Sequence, residues 1–192
     1  MTQTAPYFFG YGSLVNTATH DYSDPRPARL SGWRRTWAHT DLRDVAFLTA
    51  KPAPGDSIDG LIAAVPGADW AALDEREYAY DRVLASQAVG HDLPGAPEIS
   101  VYAVPAERQA PGSNRHPILL SYLDVVLQGY LQVFGREGVI DFVATTDGWD
   151  APILDDRDAP RYPRHQPTTA QERSLFDDLI ASTGARRLRP AS

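Results

Sequence analysis

A chain of 192 residues that is 43% hydrophobic and 22% charged has the size and composition of one folded globular unit, away from the disordered and membrane classes. It contains no cysteine, so disulfides, thiolate metal sites, CxxC redox chemistry and cysteine nucleophiles are excluded by inventory. Its formal net charge is −7 and Lys51 is its only lysine, a balance that repels polyanions and argues against nucleic acid as a partner.

The leading segment Met1-Thr2-Gln3-Thr4-Ala5-Pro6 lacks a basic n-region, and no stretch approaches an uninterrupted apolar span of membrane length. The expectation is a cytoplasmic protein with no membrane partner. Pro6 to Phe9 reads as a strand, and Phe8-Phe9-Gly10-Tyr11-Gly12-Ser13-Leu14 carries it directly into a turn with two glycines. Bare backbone there can approach a ligand, and successive N–H groups can form a nest for a carboxylate or phosphate, but on this segment alone a hairpin or bulge explains the glycine pair better. Three sharper motifs fail on spacing. A dinucleotide fingerprint needs glycine or alanine where Val15 stands, a nucleophile elbow around Ser13 needs glycines where Tyr11 and Val15 stand, and neither a Walker pattern nor HExxH occurs.

Val45 to Ala50, Ile58 to Val65 and Ile99 to Val104 are further short apolar runs bounded by turn residues, and are predicted to be strands. Asp24-Pro25-Arg26-Pro27 and Lys51-Pro52-Ala53-Pro54-Gly55 read as connections. A helix is predicted from an Asp69 N-cap through about Leu84, with Trp70, Leu73, Tyr80 and Leu84 as its apolar stripe. Glu77 occupies the missing position of that stripe. A carboxylate on such a face is paired with an arginine, bonded to a tyrosine hydroxyl, or functional.

The clearest helical periodicity runs through Ile118, Leu119, Tyr122, Leu123, Val126, Leu127, Tyr130, Leu131 and Phe134 and stops at Gly135. It marks a core helix, with Tyr122 and Tyr130 as structural members of the stripe or, through one hydroxyl, as contributors to the site. A third helix is predicted from Thr168 or Thr169 to Ser182, stopped by Gly184. Strands early and helices late indicate an α+β fold. The whole of 1–192 reads as one domain, with 148–192, rich in Pro, Asp and Arg, as a candidate C-terminal arm.

His20, His39, His91, His116 and His165 are scattered without ligand spacing, and Arg157 interleaves the acidic run Asp155, Asp156, Asp158, so no metal site is expected. Arg34 and Arg35, between Trp33 and Trp37, read either as cations for a substrate carboxylate or as exposed stacked residues in a strand. Arg186, Arg187 and Arg189 read as a solvated basic tail.

The ordered set of a strand, then Tyr11-Gly12-Ser13-Leu14, then a Leu73-Asp74-x-x-Glu77 segment resembles the γ-glutamylcyclotransferase-like superfamily. Gly32-Trp33-Arg34-Arg35-Thr36-Trp37, between loop and glutamate, is similar to the cation-transport-regulator-like (ChaC) branch. The resemblance covers roughly the first half of the chain. It implies a small mixed or barrel-like sheet flanked by helices and a cofactor-free enzyme acting on a small-molecule γ-glutamyl substrate. It further implies that Tyr11, Gly12, Ser13 and Leu14 bind the γ-glutamyl moiety and that Glu77 is the catalytic acid/base. The chemistry implied is cyclisation of a γ-glutamyl peptide or amine, glutathione among the candidates, to 5-oxoproline with release of an amine or amino acid. A non-catalytic module that recognises a small acidic metabolite or a partner through the same loop is the alternative.

Overall fold

The computed structural model describes residues 5–110 and 115–190. The segment Met1 to Thr4, used above in reading the start of the chain, lies outside the described residues. Among the described residues the fold is α+β: a curled mixed sheet of seven strands, a small three-stranded sheet and three α-helices.

The central strand β1 (Tyr7–Gly10) is buried along its whole length between two partners. It runs antiparallel to β3 (Phe47–Ala64) and parallel to β6 (Ile99–Ala103). Because side chains alternate along a strand, Phe9 enters the main core and Phe8 enters a second cluster on the opposite face. That second cluster holds Ala63, Val65, Leu73 and Tyr102. The sheet continues outward from β3 to β2 (Arg26–Ala38) and β5 (Val89–Gly90), and from β6 to the edge strand β4 (Asp81–Leu84). β8 (Thr146–Asp147) adds in parallel beside Arg35 and Thr36 of β2.

The segments Val45 to Ala50 and Ile58 to Val65, predicted as two strands joined by a proline-rich connection, are largely one strand of 18 residues, β3. Its antiparallel register with β2 jumps from Ser31↔Ser57 to Trp33↔Pro52. Residues 53–56 bulge out there, which is where Pro54 and Gly55 are tolerated because they owe no ladder bond to β2.

Helix α1 (Trp70–Arg76) is shorter than predicted. Asp69 caps it as expected, accepting from the amides of Ala71 and Ala72 at 3.0 and 3.2 Å. The predicted continuation to Leu84 is incorrect: Glu77 is the C-cap, and Asp81 to Leu84 leave the helix to pair with β6 as β4. Val83 and a neighbouring tyrosine suit a strand as well as a helix, and the backbone bonds offered by the open edge of β6 decide between them.

Helix α2 (Leu120–Ala144) is the core helix, buried on nearly all sides over its first half. Ile118 and Leu119, the first members of the predicted stripe, form β7 (Ile118–Leu119) in the small sheet with β9 (Ile153–Leu154) and β10 (Arg187–Leu188). The predicted stop at Gly135 is a break, with φ 69° and ψ −168°, after which the helix resumes. Only glycine occupies that backbone region without strain. Helix α3 (Ala170–Ser182) starts at Thr169 with a reciprocal capping box to Glu172, and Gly184 follows its end with φ +74°.

Among the described residues no helix is long and apolar enough to cross a membrane, and no group of three or more His, Asp or Glu is placed to hold a metal ion.

Candidate active site

Beyond the C-terminal ends of the parallel pair β1 and β6, the chain leaves a cavity of about 630 Å³. Tyr11, Gly12, Ser13 and Leu14 line one side of it, and Glu77, Tyr78, Ala79 and Tyr80 line another. The loop and the glutamate, separate in sequence, therefore face one space.

The loop is held from behind. Ser13–Val15 form a single 3-10 turn, and the next residue, Asn16, is fully buried. The Asn16 side-chain amide donates to the Val125 carbonyl and to Gln128 Oε1, both at 3.0 Å, which ties the loop to α2. Gly129 of α2 lies against the same backbone: a Cβ there would come within 2.5 Å of the Asn16 nitrogen. The Tyr11 carbonyl accepts from the Tyr130 hydroxyl at 3.0 Å, and Tyr130 in turn accepts from Arg35 Nη2 at 2.9 Å.

Arg35 is not the exposed, stacked residue of one sequence reading. Only 1% exposed, it lies between the rings of Tyr130 and Phe142 at 5.0 and 4.8 Å and donates to the Thr145 hydroxyl and the Asp59 carbonyl. Arg34 instead pairs with Asp147 at 2.7 Å away from the cavity. Asn16 and Arg35 are the members of this support that residue type alone did not reveal. The signal available for Arg35 was its alternation with Arg34 on a strand, which sends one of the two inward.

Glycine at position 12 is required by a close approach: a Cβ would lie 2.7 Å from the Tyr122 hydroxyl and 3.4 Å from Leu48. Among the described residues the amides of Gly12 and Leu14 have no acceptor, and the Ser13 amide bonds to the Tyr122 hydroxyl. Of the two stripe tyrosines, Tyr122 is the one that lines the cavity.

Glu77 is half-buried. Its carboxylate acts electrostatically on Tyr11, Tyr80, Tyr102 and Tyr122, which places it among four phenols. Burial is the main cause that pushes all four phenols well above their ordinary acidity range, and Glu77 adds to it. The four are therefore neutral donors at physiological pH and cannot serve as bases. Tyr11 donates to the Tyr102 carbonyl at 2.7 Å, Tyr80 to the Leu48 carbonyl at 3.2 Å and Tyr102 to Asp74 at 2.6 Å. Among the described residues no group accepts the Tyr122 proton. The two carboxylates lining the cavity are Glu77, inside, and Asp44, exposed.

The remaining wall comes from the C-terminal segment, through Arg161, Tyr162, Pro163 and Arg164. Asp156, 1% exposed, accepts from the Ser121 amide at 2.7 Å, the Ser121 hydroxyl at 2.6 Å and the Arg161 amide at 2.9 Å. It caps the start of α2 from a distant segment and fixes the backbone that lines the cavity. Its neighbour Arg157 pairs with Asp124 and Asp177 at 2.7 and 2.9 Å, both outside the acidic run, so this run is not the solvated loop neutralised by its own arginines that the sequence suggests.

No protein-family model matches the sequence, and no curated protein matches it. Solved structures do share its fold. One described as a γ-glutamyl cyclotransferase superposes with a TM-score of 0.58 at 13% identity, covering 91% of this chain and 99% of that one. An uncharacterized protein from Homo sapiens gives 0.54 at 16% identity, covering 90% and 98%. YkqA from Bacillus subtilis gives 0.55 at 17% identity, covering 73% of this chain and 53% of that one. At these identities the likeness is one of fold: this chain has the architecture of a γ-glutamyl cyclotransferase.

Proposed function

We propose that the protein is an enzyme of the γ-glutamylcyclotransferase type, with Glu77 as its acid/base and Tyr11 to Leu14 as the cradle for the γ-glutamyl group. The observation that carries this reading is that Glu77 and the loop line one cavity in a chain with the fold of a γ-glutamyl cyclotransferase. The resemblance of the loop and of Gly32 to Trp37 to the ChaC branch makes glutathione one candidate substrate beside other γ-glutamyl peptides and amines. The segment 148–192 serves as an arm that completes the cavity.

In the reaction the substrate α-amine attacks its own γ-carbonyl. A ring C–N bond forms, the γ-amide C–N bond breaks, and 5-oxoproline and an amine or amino acid leave. The protein orients a flexible chain, takes a proton from the ammonium and stabilises the oxyanion that develops. Glu77 accepts the ammonium proton and returns it to the departing nitrogen. An ordinary glutamate near 4.3 and an α-ammonium near 8 differ by about 4 units, or roughly 5 kcal/mol against transfer in water. Holding the ammonium beside the carboxylate in one cavity makes that transfer intramolecular. Donors for the oxyanion are at hand in the loop amides and the Tyr122 hydroxyl.

The test is 5-oxoproline release from γ-glutamyl dipeptides, γ-glutamylamines and glutathione, with Glu77→Gln as comparison. Release by the native protein that falls by about 100-fold or more in Glu77→Gln supports the reading. No release from any compound, with the compounds still binding, transfers the assignment to a binding module.

A further inference from the structure

The cavity carries a charge pattern that the loop and Glu77 leave unused. Arg43, Arg161 and Arg164 all line it, and all three are exposed. None of them forms an ion pair with a carboxylate of the described residues, although the chain has 25 acidic residues against 18 basic ones. Against them the cavity sets only Asp44 and Glu77. Three guanidinium groups without a carboxylate partner among the described residues, gathered on one cavity of an acidic protein, form a local positive field that draws an anion inward.

Two of the three are held in place. Arg43 lies over the rings of Phe47 and Tyr78 at 5.5 and 5.6 Å and donates to the Tyr78 hydroxyl at 3.3 Å. Arg161 has its backbone amide bonded to the buried Asp156. Arg164 follows on the same segment across Tyr162 and Pro163, and the Tyr162 ring packs edge-on against Tyr122 at 5.0 Å. The cations thus sit on the arm and on the Arg43 turn, whereas the γ-glutamyl cradle is the Tyr11 to Leu14 loop.

Resting on the function proposed above, we infer that Arg43, Arg161 and Arg164 form a subsite for the leaving portion of the substrate, and that this portion carries a carboxylate. The enzyme then acts on γ-glutamyl amino acids or peptides in preference to γ-glutamylamines. Planar guanidinium groups suit this task because each offers two parallel N–H donors to a carboxylate.

The pair that tests it is γ-glutamyl-alanine and γ-glutamyl-ethylamine, which differ in the leaving group by one carboxylate. The expected kcat/KM ratio in favour of the former is about tenfold or more, within the range of a hydrogen bond to a charged group. In the Arg161→Gln/Arg164→Gln double variant, checked for native thermal unfolding, the ratio falls to about threefold or less; Arg43→Gln lowers it in the same direction. Equal kcat/KM for the two compounds in the native protein overturns the inference. So does a double variant that slows both compounds by the same factor, because the arginines would then hold the γ-glutamyl end. If the native protein releases no 5-oxoproline, calorimetric binding of the same two compounds decides the matter separately from catalysis. Tighter binding of γ-glutamyl-alanine that is lost in the double variant sustains the subsite, and equal binding removes it.

Discussion

The residue that sits least comfortably in its own element is Glu77. A carboxylate at the C-terminal end of a helix meets the negative end of the helix dipole, an arrangement typically worth about 0.3–1 kcal/mol in the wrong direction. Locally unfavourable placements are expected at functional or strained sites. Tyr122 is its counterpart on α2, a neutral donor whose proton no group among the described residues accepts. Tyr122→Phe removes that hydroxyl while keeping the ring packed against Trp37 and Tyr162. The expected result is a fall in kcat of about 10-fold or more with a smaller change in KM, read from steady-state kinetics of 5-oxoproline formation, since the bond it offers strengthens only as the oxyanion develops.

At the scale of elements, the site depends on how closely α2 approaches the loop behind it. Gly129→Ala would place a methyl group against the backbone of Val15 and Asn16, which has no flexible end to move aside. A loss of about 1–3 kcal/mol in urea unfolding is expected, with reduced activity because the loop is displaced. The start of α3 supplies a pH-dependent contribution. Burial pushes the Glu172 carboxyl up, but bonds from the Thr169 amide, the Gln128 side chain and the Thr169 hydroxyl outweigh it and hold the group below its ordinary value. A carboxyl depressed in the folded state contributes stability that is complete above the unfolded value, near 4.3, and disappears as pH falls through the folded one. The stability gap between the native protein and Glu172→Gln should therefore narrow below about pH 4. A gap that stays constant from neutral pH to about pH 3 would contradict this.

At this scale the legibility of the sequence varies with the reach of the interaction. Strands β1 and β6 and helix α3 lie where apolar runs, Thr169, Glu172 and Gly184 put them, because strand alternation and capping act within a few residues. The stretch from Asp69 to Leu84 misled, since Trp70, Leu73, Tyr80 and Leu84 satisfy a helical period while the last four residues are claimed by the edge of β6. Lys51 to Gly55 misled in the opposite sense: prolines that look like a connection are carried through β3 as a bulge.

For the whole molecule, one buried carboxylate joins distant parts of the chain. Asp156 bonds the start of α2 and the cavity-lining segment at once, so its loss acts on both. Asp156→Asn turns a triple acceptor into a group that must present a donor to a donor. A stability loss of about 2 kcal/mol is expected, together with faster hydrogen exchange at the Arg161 amide than at core amides of β1. Unchanged exchange there would show that the segment is held by its other contacts.

Taken by itself, the sequence determined the α+β class, the strand leading into Tyr11-Gly12-Ser13-Leu14, the anomaly of Glu77 among apolar neighbours, and the capped last helix. These follow from composition, periodicity and capping, all local properties of the chain. Only the tertiary structure decided that Glu77 ends a helix and still lines the same cavity as the loop, that Arg35 is buried behind Tyr11, and that three arginines with no carboxylate partner among the described residues share that cavity. Each of these depends on pairing between residues far apart in sequence, through the parallel contact of β1 with β6 and the docking of α2 and the C-terminal segment. The energies that select such contacts lie in burial and hydrogen bonding across the fold, and no local pattern records them.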